Sequence, residues 1–156
     1  MALNLSDKFV SPSKINEIID TLRNTDFHSE RAKSKNLKKI DMEKNNDTYL
    51  KISRLIDFDI PVSAQRFVSN PILLVEIWTF ESDQKITLKV SIPNIQTEVT
   101  ASIDFVSEDS QTLILVETEV VSKIFLMSSF AEEFVSKYWK KSLQKDFEIL
   151  DNWIKS

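Results

Sequence analysis

Arg54 and Glu76 stand where the surrounding pattern calls for apolar side chains. In residues 48–58, Leu50, Ile52, Ile56 and Phe58 alternate with their neighbours, and Arg54 falls on their side. In residues 71–81, Ile72, Leu74, Trp78 and Phe80 do the same, and Glu76 interrupts them. A period of two puts each set on one face of a β-strand. An unpaired charge on a covered face costs on the order of several kcal/mol, so the two residues are expected to pair. Antiparallel pairing with Phe58 opposite Ile72 would set Arg54 opposite Glu76. A charge pair among apolar walls can orient a polar group on an apolar ligand. The plainer readings are a structural ion pair or a wet sheet edge.

Other chemistry is scarce. The chain has 156 residues with no glycine and no cysteine, and His28 is its single histidine. Without glycine there is no dinucleotide fingerprint, P-loop or nucleophile elbow, all of which need backbone that turns sharply or closely approaches a phosphate. Thiol nucleophiles, disulfides and cysteine zinc sites are excluded outright. His28 lies in a polar stretch and is expected to be solvated; as a general base it would need an orienting partner and a pocket. Asp57 and Asp59 alternate on a strand end with no third ligand evident, so no metal is expected. Arg31, Lys33, Lys35, Lys38 and Lys39 put five positive charges within nine residues, read as a solvated face. With a net charge of −4 and no interleaved aromatic, no nucleic-acid partner is expected.

The elements that must hold these residues follow from the same alternation. Residues 2–10 read as a strand. Ser11-Pro12 is expected to open a helix carrying Ile15, Ile18, Ile19 and Leu22, since serine caps and proline suits the first helical position. A short second helix is expected over about 26–35. Six strands follow, near 37–44, 48–58, 71–81, 85–92, 97–106 and 112–122, with short turns that predict an antiparallel meander. Asparagine and aspartate are expected to supply most positive-φ turn positions. Residues 128–154 read as one long helix whose apolar face rotates along its length, and this helix is the natural cover for the sheet. The composition, 42 % hydrophobic and 28 % charged, is that of an ordinary globular domain, taken as one unit over 1–156. No apolar run approaches the roughly 18 residues of a membrane span, and the N-terminus lacks signal-peptide features, so a cytoplasmic protein is expected.

This order of elements resembles the helix-grip fold of the START-like (SRPBCC) superfamily, which includes polyketide cyclases, plant pathogenesis-related allergens and lipid-transfer domains. Arg54 with Ile60-Pro61, Glu76-Ile77-Trp78, Ile92-Pro93-Asn94, Phe125-Leu126-Met127 leading into Glu132, and Trp153 carry a narrower resemblance, to an uncharacterised bacterial family within it. The chain departs at Asn94 and at Ser128-Ser129, where that pattern favours glycine. The resemblance implies an α+β fold, a curved seven-stranded antiparallel sheet with two short helices after strand 1 and a long C-terminal helix over it. It also implies a cavity between sheet and helix. Arg54, Glu76, Trp78, Leu88, Phe130, Phe134 and Tyr138 are the candidate ligand-binding residues. The expected function is noncatalytic binding of a small apolar or amphipathic molecule such as a lipid, with no cofactor. The alternatives are a cyclase or dehydratase with Glu76 or His28 as acid or base and Arg54 polarising an oxygen, and a protein-interaction module.

Overall fold

The structure, a computed structural model of the chain, describes residues 2–33, 36–66 and 68–156. The seven alternating stretches form strands β1 (Ala2–Ser11), β2 (Leu37–Asn45), β3 (Tyr49–Ile56), β4 (Ile72–Ser82), β5 (Lys85–Ile92), β6 (Thr97–Glu108) and β7 (Gln111–Ser122). Helices α1 (Ile15–Leu22) and α2 (Thr25–Lys33) follow β1, and α3 (Ser128–Lys155) ends the chain. The strands make one sheet in the order β1-β7-β6-β5-β4-β3-β2, antiparallel at every pairing. This is the expected meander, with the first strand closing against the last. It is the helix-grip architecture.

One face of the sheet carries Leu50, Ile52, Leu74, Trp78, Leu88 and Ile103, all buried. α3 covers it with Ala131, Val135, Trp139, Leu143 and Leu150. The rotation of the helix's apolar face is met by different neighbours: Phe147 packs on Phe9 of β1 at 4.7 Å between ring centres, and Trp153 on Phe27 of α2 at 5.7 Å. Among the described residues no helix is long and apolar enough to cross a membrane.

Two expectations need correction, and one falls outside the described residues. α1 begins at Ile15, not at Ser11-Pro12, because Ser11 completes β1 and its hydroxyl is spent elsewhere. It donates to Asp151 of α3 at 2.7 Å and accepts the Ser13 N–H at 3.2 Å. The Lys14 N–H at the helix start is met by the Glu17 carboxylate at 3.2 Å. α2 spans Thr25–Lys33; the expected extension over 34 and 35 lies outside the described residues. β3 stops at Ile56, two residues short of its expected end. Phe58 is held instead by Asn70, whose side-chain amide accepts from the Phe58 N–H and donates to its carbonyl, each at 2.8 Å.

Without glycine, five other residues among those described take positive φ: Asn36, Asn46 and Asp109, as expected by type, and also Gln96 and Leu126. Asn94 does not; its side chain accepts the Leu73 N–H at 2.9 Å and closes the loop that way. Leu126 has φ 62° and is 86 % exposed. A left-handed residue with a Cβ costs about 1–2 kcal/mol, and here little burial offsets it. Leu126→Gly should therefore stabilise the fold by up to about 1 kcal/mol after the entropy of the freer unfolded chain is subtracted. A lower urea midpoint would mean that the leucine side chain makes a stabilising contact.

Candidate functional site

Because β3 ends early, Ile56 and not Phe58 lies opposite Ile72. Arg54 is then opposite Leu74 and Glu76 opposite Ile52, which corrects the expected register by two residues. A two-residue slip keeps every side chain on its face. Arg54 and Glu76 remain diagonal neighbours under α3, 3 % and 2 % exposed, and Arg54 Nη2 donates to Glu76 Oε2. The expected ion pair is present.

It has a third member that the strand pattern did not announce. Arg31 of α2 donates from Nη2 to Glu76 Oε1 at 2.6 Å. Its Nη1 donates to Asp146 of α3 at 3.2 Å and its Nε to His28 Nδ1 at 3.1 Å. Trp78 Nε1 also donates to Glu76 Oε1, at 3.0 Å, and the Arg31 guanidinium lies 5.6 Å from the Trp78 ring. Since His28 Nδ1 accepts from Arg31, Nε2 carries the hydrogen and donates to the Leu22 carbonyl at 2.6 Å. Arg31 and His28, expected in solvent, are buried. On α2 the positions 27, 28, 31 and 32 share one face, so Phe27 and Ala32 carry His28 and Arg31 into the core with them. That spacing was the available signal. The rest of the basic run agrees with a solvated face at Lys33, Lys38 and Lys39; Lys35 lies outside the described residues.

Burial alone would push the Glu76 carboxyl up. The Arg31 and Arg54 guanidiniums outweigh burial, with Trp78 helping, and hold the group well below the usual carboxylate range. Burial, reinforced by Arg31, lowers His28 from 6.5 to about 3. Glu76 is thus an anion and His28 a neutral imidazole at neutral pH. Burial pushes the Tyr138 hydroxyl upward, so it stays protonated.

The space between sheet and helix is divided. An inner cavity of about 40 Å³ is bounded by Arg54, Glu76, Trp78, Leu88, Tyr138 and Ser142, among others. It has room for a water or a small polar group. Outside it, an open cleft of about 620 Å³ runs between the end of β3 and α3, walled by Ile56, Phe58, Pro61, Phe130 and Phe134 and edged by Lys137, Lys141 and Lys145. Tyr138 and Ser142 line both spaces. Phe130 and Phe134 were expected to face the sheet across the inner space. They line the outer cleft instead, because the start of α3 lies over the 57–70 connection, where they meet Ile60, Ala64 and Val68. Tyr138, one turn on, reaches the inner cavity and packs edge-on to Phe58 at 4.5 Å.

Three buried polar atoms at this site have no hydrogen-bond partner among the described residues: Arg54 Nε, Arg54 Nη1 and the Tyr138 hydroxyl. Each such atom costs about 1–3 kcal/mol. Among the described residues no cluster of acidic or histidine side chains could hold a metal.

The architecture is shared with known structures. The chain superposes on Ara h 8.0201 with a TM-score of 0.72 at 11 % identity, covering 99 % of this chain and 98 % of that one. It superposes on the Zhui aromatase/cyclase from Streptomyces sp. R1128 with a TM-score of 0.74 at 7 % identity, covering 99 % and 94 %. It also matches the di-domain ARO/CYC StfQ from the steffimycin biosynthetic pathway with a TM-score of 0.75 at 10 % identity, covering 99 % of this chain and 51 % of that one. At these identities the likeness is one of fold, and the fold is START-like. No curated protein matches in sequence. A family's sequence profile does match, over residues 10–154, and the chain belongs to that family, described as Protein of unknown function (DUF2505).

Proposed function

We propose that this chain is a cytoplasmic binding protein for one small amphipathic molecule, held between the sheet and α3 without chemical change. The polar end of the ligand enters the inner cavity beside Arg54, Glu76 and Trp78, with Leu88 behind it. Its apolar body lies in the outer cleft against Phe130 and Phe134. The observation that carries this reading is the adjacency of two unlike spaces at Tyr138: about 40 Å³ with unpartnered polar atoms, and about 620 Å³ walled by aromatic side chains. The inner space cannot take a whole lipid, so the body must lie outside. The cyclase alternative needs a group that exchanges protons near neutrality, and Glu76 and His28 are both held away from that.

Native mass spectrometry of protein purified from cells tests the proposal. The expected result is a small-molecule adduct that leaves on unfolding. Bare chain, together with no binding of an apolar fluorescent probe, would overturn it. A co-purified protein would instead favour an interaction module, for which the exposed Phe125 and Leu126 are the pertinent feature. Phe134 gives a second check. It is half-buried, so Phe134→Ala should cost about 1–2 kcal/mol, less than the roughly 3–5 of a fully buried phenylalanine. Probe affinity should fall in the same variant. Unchanged probe binding would remove the cleft from the ligand's path.

A further inference from the structure

We infer that the polar end of the ligand is a carboxylate, received by Arg54 and Tyr138; the inference rests on the binding reading above. Two buried arginines share Glu76 and differ in how their other nitrogens are partnered. Arg31 uses all three of its nitrogens, on His28, Asp146 and Glu76. It is fully coordinated and holds the fold. Arg54 uses only Nη2, while Nε and Nη1 donate to nothing among the described residues. Yet Arg54 is 3 % exposed and borders the inner cavity.

Glu76 does not meet these two donors: its Oε1 takes Arg31 and Trp78, and its Oε2 takes Arg54 through Nη2 alone. A guanidinium only donates, and the Tyr138 hydroxyl, unpartnered on the same cavity, can donate beside it. The complementary group is therefore an oxygen acceptor, and hydrogen bonds to a charged acceptor are roughly twice as strong as neutral ones. Size and charge narrow the class. About 40 Å³ suits a planar carboxylate better than a phosphate. Glu76 and Asp146 both border the cavity and offset Arg31 and Arg54, so a bound monocarboxylate adds one net negative charge there and a dianion two; the single charge is the one that the free Arg54 N–H donors can hold. The ligand class is an amphipathic monocarboxylic acid, with its carboxylate inward and its apolar body in the cleft.

The test is a titration at neutral pH with decanoate, methyl decanoate and 1-decanol, followed by the fluorescence of Trp78 and Trp139, which border the inner cavity. Wild type should bind decanoate about tenfold or more tightly than the ester or the alcohol. Arg54→Gln should bring the three together. Since that variant disturbs a buried ion pair, Tyr138→Phe decides independently: it should weaken decanoate several-fold and 1-decanol by a smaller factor. Equal affinity of wild type for all three would overturn the carboxylate and leave the binding reading standing. Binding of none of the three would overturn both. An acid preference untouched by Tyr138→Phe would remove Tyr138 from the site.

Discussion

Glu76→Ala should cost the fold about 3–5 kcal/mol, whereas Glu98→Ala should cost less than about 0.5 kcal/mol. Both glutamates lie on strands and both pair with a cation, but their surroundings differ. Glu98 is on the outer face, 3.7 Å from Lys89, with both side chains about half exposed. Solvent screens such a pair almost completely. Glu76 is buried between two guanidiniums and an indole N–H. Removing it leaves Arg31 with His28 and Asp146, and leaves Arg54 a buried cation with no acceptor. The large expected cost is the cost of that unpaired charge, and it is not the net worth of the intact cluster. Urea midpoints of the two variants read the difference. Equal, small shifts would mean that water reaches Glu76.

Acidification should destabilise the protein well before its ordinary carboxylates protonate. His28 binds a proton at 6.5 in the unfolded chain but only at about 3 when folded, because burial and then Arg31 disfavour its charged form. Between those values the unfolded state holds more protons, so stability rises with pH and falls as pH drops below 6.5. The slope from this one group is about 1.4 kcal/mol per pH unit. Glu76 acts in the same direction but lower: its folded affinity for protons is depressed, so its contribution is present above 4.5 and is lost below it. Of His28 and Glu76, the window from 6.5 to 4.5 therefore isolates His28. Arg31 and Glu76, which face the imidazole, stay charged there, Phe27 and Trp78 do not titrate, and Asp146 of α3 acts on the imidazole from beyond Arg31. Chemical denaturation at several pH values in that window is the measurement. A flat profile would contradict a buried neutral histidine. His28→Phe should flatten it, whatever the variant's absolute stability.

The strands were legible because alternation is decided residue by residue, and the inward Arg54 and Glu76 broke it visibly. Their register was not legible. It depends on where β3 ends, and that is decided by Asn70 clasping Phe58 from across a loop, which has no period. Arg31 and His28 were missed for a different reason. Polar residues on a short helix read as solvated unless their carboxylate partner is known, and Glu76 lies 45 residues beyond Arg31. The aromatic residues of α3 were recognised, yet helical spacing alone could not divide them. Phe130 and Phe134 went to the outer cleft because the 57–70 connection, the least patterned part of the chain, folds beneath the start of the helix. Tyr138 is the residue at which the two spaces meet.

The central claim is that a ligand occupies the space between the sheet and α3. Methyl NMR of the protein titrated with decanoate tests it most directly. Saturable shifts are predicted at Leu88 and Val90 of the inner cavity and at Ile56 of the outer cleft, with Leu3 and Leu5 of the far strand β1 unmoved. Shifts that fail to saturate, or that spare Leu88 and Ile56 while moving exposed Leu126, would contradict it.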